Sequence, residues 1–245
     1  RGVLLTDRLV APRTGRGRWA PTPAVEYYLR LSCETLLHAP MPDWRAGAVM
    51  MELGITPAQT AEGRGVLERA GVAETERLAI LNPGGNNPAK RWPPDRFAAV
   101  AEHLAARHGL RAVINGAPGE ADLVRSIAEA APSARCVELP RAGITLGALK
   151  EIVRRAAVMV TNDTGPRHFA AALGVPLVSL FGPTDHRWTT IPTRPGAAEE
   201  ILLADPTLPE SEVADDHPER CRVERIELPR VIEAVDRVLA LRRAG

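Results

Sequence analysis

The segment 161–165 (Thr-Asn-Asp-Thr-Gly) has the clearest potential for chemistry, because it lies between an apolar run and a helical pattern with proline near its start. A helix N-terminus offers unpaired backbone N–H groups and a partial positive charge, both of which attract phosphate. The N–H groups of Thr164 and Gly165 are therefore candidate phosphate donors, and Asp163 is a candidate for binding sugar hydroxyls. The alternative is that Asp163 or Thr164 caps the helix. His168 lies one helical turn beyond Thr164 and is a further candidate.

The segment 82–93 follows another apolar run and combines adjacent glycines with basic residues. Gly84 and Gly85 let the backbone approach a ligand closely and form an anion-binding concavity. Lys90 can place a point charge on a diphosphate, and Arg91 can do so in fork geometry. Lysine is rare in this chain, since only two of the 31 basic residues are lysines. The alternative is a solvated loop in which Lys90 faces water.

A third segment, 115–120, follows a predicted strand and carries Glu120. A carboxylate just past a glycine-containing strand end often accepts hydrogen bonds from ribose hydroxyls, as in dinucleotide-binding folds. The alternative is that the negative charge of Glu120 stabilises the start of the following helix, by about 0.3–1 kcal/mol.

Composition excludes several classes of protein. With 31 basic and 30 acidic residues, the chain lacks the net positive charge expected of a nucleic-acid-binding protein. Its three cysteines are far apart, so neither a disulfide framework nor a structural zinc site is expected. Four histidines outside the site show no metal-ligand spacing: His103, His108, His186 and His217. No apolar run approaches the ~20 residues of a membrane-spanning helix, and no signal segment is recognisable.

The chain starts at Arg1, without a methionine, and enters a strand-like run at 2–6, so we expect it to be the interior of a longer protein. Residues 24–37 have helical periodicity. Residues 38–60 are rich in proline and glycine, which is typical of a linker, and a short helix is predicted at 62–70.

Strands and helices then alternate regularly. Strands are predicted near 78–82, 111–115, 135–138, 157–161, 176–181 and 199–203. Helices are predicted near 94–108, 119–131, 145–156, 165–173 and 228–242, and a loop at 204–227. This alternation predicts an α/β fold with a parallel sheet covered by helices on both faces. Ligands bind such sheets at the carboxyl ends of the strands, where the candidate loops are expected to meet.

Three motifs together resemble a known family in order and spacing: PAKRWP at 88–93, TNDTGPRHFAAALGVP at 161–176 and LFGPTD at 180–185. They are similar to those of the ADP-heptose:lipopolysaccharide heptosyltransferases (glycosyltransferase family 9), in particular the type that adds the second heptose of the inner core. The resemblance covers residues 78–240, and residues 1–37 look like the end of the family's N-terminal domain.

The resemblance implies a GT-B fold of two Rossmann-like domains, one for the lipid-linked acceptor and one for the nucleotide-sugar donor. Residues 1–60 would be the end of the acceptor domain plus a linker, and residues 61–245 the donor domain. The implied reaction is inverting, metal-independent transfer of L-glycero-D-manno-heptose from ADP-heptose to the lipid A-core acceptor at the membrane surface. No cofactor is implied, and the implied location is cytoplasmic, peripheral to the inner membrane.

The resemblance also assigns roles to individual residues. Those expected to bind the donor are Gly85, Asn86, Lys90, Glu120, Ile144, Asp163, Thr164, Gly165 and His168. Among them, Glu120 would bind the ribose, Ile144 would flank the adenine and Asp163 would contact the heptose. Lys90 would stabilise the departing ADP. The catalytic base is expected upstream of Arg1, so the chain alone is expected to be inactive. Two alternatives stay open, namely a sugar-nucleotide epimerase of GT-B fold and a non-catalytic nucleotide-sugar-binding fragment.

Overall fold

The structure, a computed structural model, describes residues 9–14, 17–193 and 198–244. The strand predicted at 2–6 lies outside the described residues. Within them, the six strands form a single sheet in which every neighbouring pair is parallel. The strands are β1 (Leu78–Asn82), β2 (Arg111–Ile114), β3 (Val137–Glu138), β4 (Ala156–Asn162), β5 (Leu177–Phe181) and β6 (Glu199–Leu203). The predicted parallel sheet is confirmed.

The strand order is β3-β2-β1-β4-β5-β6, so the chain builds one half of the sheet outward from β1 and the other half outward from β4. The two halves meet between these strands. In a doubly wound sheet, the crevice outside the carboxyl ends of the strands at such a switch point is the usual ligand site. The segments after β1 and β4 are those with the strongest chemical signals in the sequence.

Seven α-helices lie within the described residues: α1 (Ala24–Leu29), α2 (Pro57–Arg69), α3 (Pro94–His108), α4 (Ala121–Ala130), α5 (Leu146–Arg154), α6 (Gly165–Leu173) and α7 (Leu228–Ala244). Helices α3, α4 and α7 bury their apolar side chains in a core on one face of the sheet. Helices α2, α5 and α6 do so in a second core on the other face. β1 and β4 contribute to both cores and are buried along their whole length, which explains their nearly continuous apolar sequence.

Three predicted elements differ in extent. Helix α2 begins at Pro57, inside the predicted linker, because Thr56 and Gln59 form a capping box that the surrounding prolines and glycines obscure. The helix predicted at 24–37 changes to π-helical turns after α1, where the Ser32 hydroxyl hydrogen-bonds the carbonyls of the preceding turn. β3 begins later than predicted and is short, because Arg135 has a left-handed backbone (φ 45°) that cannot be part of a strand.

The segment 204–227 forms loops with two short 3-10 turns, Ala214–Asp216 and Val223–Arg225. Trp92, in the loop after β1, contacts this segment, since its indole Nε1 donates a hydrogen bond to the Ile226 carbonyl at 2.8 Å. The Trp92 side chain is buried and packs edge-on against Phe97. Among the helices of the described residues, none has the length and apolar character needed to cross a bilayer.

Candidate functional site

A cavity of about 630 Å³ lies at the switch point, between the loops that follow β1, β2 and β4 and the start of α5. Eight of the nine predicted donor-binding residues line it: Gly85, Asn86, Lys90, Glu120, Ile144, Asp163, Thr164 and Gly165. His168 is not among the lining residues. The fold therefore brings together four separate segments of the sequence around one space.

Buried asparagine and threonine side chains connect the strand ends beneath the cavity. The Asn82 side-chain amide donates to the hydroxyls of Thr161 (3.0 Å) and Thr164 (2.7 Å), and it accepts from Asn115 at 2.7 Å. Of these residues, only Thr164 was a candidate from the sequence. A signal was present, because β1 and β4 end in asparagine and Asn115 directly follows β2. The network fixes the relative positions of three strand ends.

Asn162, the last residue of β4, holds the loop after β1 at two points. Its fully buried side chain donates to the Pro83 carbonyl at 2.7 Å and accepts from the Trp92 N–H at 3.3 Å. Because both ends of the 83–92 loop are fastened to β4, the backbone of that loop is held over the cavity.

Glu120 joins the loop after β1 to the loop after β2. Its Oε1 accepts from the Gly85 N–H at 2.8 Å, and its Oε2 accepts from the Ala117 N–H at 2.8 Å. A Cβ atom on Gly84 would lie only 2.2 Å from Oε2, so a larger residue at this position would displace the carboxylate. The Gly85 N–H is thus already paired. A carboxylate has about four acceptor positions, which leaves Glu120 able to accept from a ligand as well.

Lys90 and Asp163, which both line the cavity, form an ion pair with Nζ 2.8 Å from Oδ2. The carboxylate of Asp163, nearly buried, also accepts hydrogen bonds from the hydroxyls of Thr184 and Thr189, each at 3.2 Å. An ammonium has three donors, so Lys90 keeps two for another partner. Arg91, the other basic candidate, donates to the Gly85 carbonyl at 2.8 Å, and its Nη2 lies 3.7 Å from Oε1 of Glu120.

The start of α6 carries no side-chain cap. The Thr164 hydroxyl instead accepts from Asn82, so neither of the two capping residues considered from the sequence acts as a cap. Within the described part of the chain, no hydrogen bond uses the N–H of Thr164 or of Gly165. Both residues line the cavity, and Pro166 has no N–H. Two unpaired donors and the positive end of a helix dipole therefore border the same space as Lys90.

Asp163 is connected through Thr189 to a buried ion pair. Arg167 is fully buried and pairs with Glu199 of β6, its Nε 2.7 Å from Oε1. Its guanidinium also donates to the Thr189 carbonyl at 2.7 Å, and the Thr189 hydroxyl donates to Asp163. This chain of contacts was not predictable from the sequence, because its members come from α6, from β6 and from the loop between β5 and β6.

His168 lies beside this network, partly buried in α6. Burial and the neighbouring Arg167 guanidinium lower the pKa of His168, against the opposing effect of Asp163 and Glu199. The imidazole is therefore neutral at neutral pH, and the positive charge of the cavity comes from Lys90 and the start of α6.

Ile144, Leu146 and Leu149 form an apolar wall of the cavity. Leu146 is 72% exposed, although it lies at the start of a helix that otherwise packs well. Ile144 is half-buried and contacts the core, so it fits both a packing role and a role against the flat face of an apolar ring. The cavity thus has a charged end, a polar floor and an apolar wall, which suits a ligand with an anionic centre and an aromatic end.

Comparison with known proteins identifies the family of the chain. The profile described as "Glycosyltransferase family 9 (heptosyltransferase)" matches residues 15–214. The lipooligosaccharide heptosyltransferase 2 of Haemophilus influenzae is 35% identical over 143 residues, which are 56% of this chain and 40% of that protein. The chain therefore spans about two fifths of the length of this curated relative.

Two solved structures share the fold, each with a TM-score of 0.71 and 22% identity. A glycosyl transferase family 9 protein from Veillonella parvula covers 97% of this chain, and this chain covers 64% of it. The E. coli ADP-heptose LPS heptosyltransferase II covers 91% of this chain, which again covers 64% of it. The family predicted from the three motifs is confirmed, and since the profile matches most of the residues, the chain belongs to glycosyltransferase family 9.

Proposed function

We propose that residues 61–245 form the donor-binding domain of a heptosyltransferase that transfers L-glycero-D-manno-heptose from ADP-heptose to the lipid A-core of lipopolysaccharide. Residues 1–60 would be the end of the acceptor domain plus the linker. Membership of the family supports the reaction class. The name of the E. coli protein of like fold, ADP-heptose LPS heptosyltransferase II, supports the donor. Such an acceptor would lie at the cytoplasmic surface of the inner membrane.

One observation carries the proposal: Lys90 and the unpaired N–H groups of Thr164 and Gly165 border a single cavity at the switch point. Backbone donors at a helix start and an ammonium are the groups that bind a diphosphate. With the diphosphate there, the adenine would lie on Ile144 and the ribose would donate to Glu120. The heptose would lie beside Asn86 and Asp163.

The same groups account for the chemistry. The acceptor hydroxyl attacks the anomeric carbon and loses its proton to a base, the bond from that carbon to the β-phosphate oxygen breaks, and negative charge builds on the departing ADP. Lys90 and the start of α6 lie where this charge develops and stabilise it without a divalent ion. His168 does not line the cavity and, being neutral, would add no charge near the diphosphate. No residue of this chain is assigned the role of base.

The test is calorimetric titration of the chain with ADP-heptose, ADP, UDP and GDP, together with Lys90→Ala and Lys150→Ala. We expect ADP and ADP-heptose to bind in preference to the other nucleotides. Removing a charge-assisted hydrogen bond costs about 1.5–3 kcal/mol, so Lys90→Ala should weaken ADP binding on the order of 10- to 100-fold. Lys150 is a matched control, since it donates to the Gly54 carbonyl away from the cavity.

Adenosine separates a loss of charge from a loss of fold. It lacks the diphosphate, so Lys90→Ala should leave its affinity unchanged while that of ADP falls. Equal ADP affinity in Lys90→Ala and Lys150→Ala would overturn the proposed site. Release of a new sugar nucleotide from ADP-heptose alone would instead favour the epimerase alternative, to which the family match gives no support of its own.

A further inference from the structure

A group of metal-ligating side chains lies outside the donor cavity, where the end of α3 packs against α7. The Nε2 atoms of His103 and His108 lie 2.7 Å and 2.6 Å from the same atom, Oδ1 of Asp236. The two imidazole rings are 5.5 Å apart and meet edge to face at 68°. All three potential ligand atoms lie within 4.8 Å of one another.

From the sequence, both histidines show no metal-ligand spacing, and the structure shows why the cluster has no signal there. His103 and His108 are on α3, whereas the third group comes from α7, more than a hundred residues further along the chain. Only the packing of α7 across α3 brings the carboxylate to the two imidazoles.

This cluster is separate from the donor site. Helix α3 begins beside the loop that borders the cavity and carries the cluster in its last two turns. A helix of 15 residues is about 22 Å long, so the cluster lies toward the opposite edge of the sheet. None of the three residues lines the donor cavity.

We propose that His103, His108 and Asp236 form a binding site for a divalent transition-metal ion, Zn²⁺ or a similar ion, that fastens α7 to α3. Two imidazole nitrogens and one carboxylate oxygen are a common protein ligand set for zinc, with water completing the coordination. An ion between these atoms would lie about 2.0–2.2 Å from each ligand atom. The nitrogen and oxygen atoms that are now hydrogen-bonded would therefore move apart slightly, as the ion replaces the protons between them.

The burial of the three side chains fits this role. His108 is 10% exposed and His103 21%, which holds both rings in place, whereas Asp236 is 41% exposed and leaves a path for the ion. Both imidazoles direct Nε2 at the shared oxygen, so the ion needs no change of ring rotamer. Surface carboxylates without such imidazole partners bind transition metals far less selectively.

The experiment uses the chain without an affinity tag, stripped of metal with a chelator and titrated with Zn²⁺ in a calorimeter. Three variants are compared with wild type: His103→Gln, His108→Gln and Asp236→Asn. The glutamine amide can still donate to Asp236, so these changes preserve the contact between the helices while they remove the imidazole ligand. His217→Ala is the control, because His217 pairs with Glu212 in another region, within the segment 204–227.

Wild type should bind a single Zn²⁺ per chain, and Co²⁺ should give a visible absorption band that Zn²⁺ displaces. Each ligand variant should weaken Zn²⁺ binding at least about 10-fold, while His217→Ala binds like wild type. Zn²⁺ should raise the melting temperature of wild type and not that of His103→Gln. Absence of Zn²⁺ binding by wild type, unchanged affinity in the glutamine variants, or a loss of affinity in His217→Ala would each overturn the proposal. ADP binding is recorded for every protein to verify that it is folded.

Discussion

Glu120 shows how one side chain can organise a binding loop before any ligand arrives. Its two carboxylate oxygens accept from backbone N–H groups in two different loops, Gly85 after β1 and Ala117 after β2. Charge-assisted hydrogen bonds of this kind are about twice as strong as neutral ones. They fix the backbone on which the diphosphate and the sugar would lie. This contact depends on the absence of a side chain at Gly84.

Gly84→Ala should therefore disrupt the loop. The new methyl group would lie 2.2–2.5 Å from the Glu120 carboxylate, which has to move and lose its hydrogen bond to Gly85. We expect a loss of about 1–3 kcal/mol in the free energy of unfolding and weaker ADP binding. Urea unfolding and calorimetry measure the two effects.

Gly119→Ala is the matched control, since a Cβ at Gly119 meets nothing within 4 Å. It should change the free energy of unfolding by no more than about 0.5 kcal/mol and leave ADP binding intact. If Gly84→Ala and Gly119→Ala had the same free energy of unfolding and the same ADP affinity, the Glu120 carboxylate would not be held by these hydrogen bonds.

The types of residue at the site were predictable, but their pairing was not. Lysine, aspartate and the start of a helix were recognisable because each follows an apolar run. Lys90 and Asp163, however, are 73 residues apart in sequence, and Gly85 and Glu120 are 35 apart. Such pairs depend on which strands are neighbours, which a single sequence does not specify residue by residue. For this reason the hydrogen bond from the Gly85 N–H to Glu120 was not predicted.

At the scale of elements, α2 and α5 pack unusually closely on one face of the sheet. A Cβ at Gly63 would lie 2.6 Å from Cβ of Glu151 and 2.8 Å from the carbonyl oxygen of Ala148. Glu151 is fully buried and pairs with Arg154 at 2.7 Å, so it cannot easily move aside. The backbones of the two helices approach one another because Gly63 has no side chain.

Gly63→Ala and Gly65→Ala should have opposite effects, although the two glycines lie on the same helix. Gly63→Ala should destabilise the chain by about 1–3 kcal/mol, because backbone atoms have to shift. At Gly65 the nearest atom is the mobile end of Arg69, at 3.3 Å, so alanine should stabilise the helix by about 0.4–1 kcal/mol. Denaturant unfolding followed by circular dichroism gives both values. A stabilising Gly63→Ala would contradict the close packing.

Most elements followed from hydrophobic periodicity, as α3 and α6 illustrate, since both begin and end where predicted. The errors lie where a short-range interaction outweighs composition. The capping box at Thr56 starts α2 within a stretch that otherwise reads as linker. Arg135, in a left-handed conformation, shortens β3 in a way that its residue type does not suggest.

At the scale of the whole molecule, the carboxyl edge of the sheet is closed by loops that come from distant parts of the chain. Asp185, in the loop after β5, accepts from the Ala214 N–H at 3.0 Å and from the Arg187 side chain at 2.7–2.8 Å. The Asp185 N–H in turn donates to Asp215 at 2.8 Å. One nearly buried carboxylate thereby connects the loop after β5 to the segment 204–227.

This connection predicts how the stability of the chain depends on pH. Burial alone would raise the pKa of Asp185, but hydrogen bonds from the Arg187 side chain and from the Ala214 and Arg187 N–H groups outweigh it and lower the pKa. A carboxyl group with a lowered pKa in the folded state stabilises that state at pH values above its unfolded pKa, about 3.9. The stabilisation is lost as the pH falls through the lower, folded value.

Asp185→Asn removes this titration and should therefore flatten the acid side of the stability profile. Wild type should lose free energy of unfolding progressively below about pH 5, whereas Asp185→Asn should be less stable at pH 7 and converge with wild type in acid. Asp122→Asn is the control, because the Asp122 side chain is 99% exposed, and its profile should parallel that of wild type. Urea unfolding at a series of pH values measures the difference. Parallel curves for Asp185→Asn and wild type would show that the loops are held together by something other than this charge.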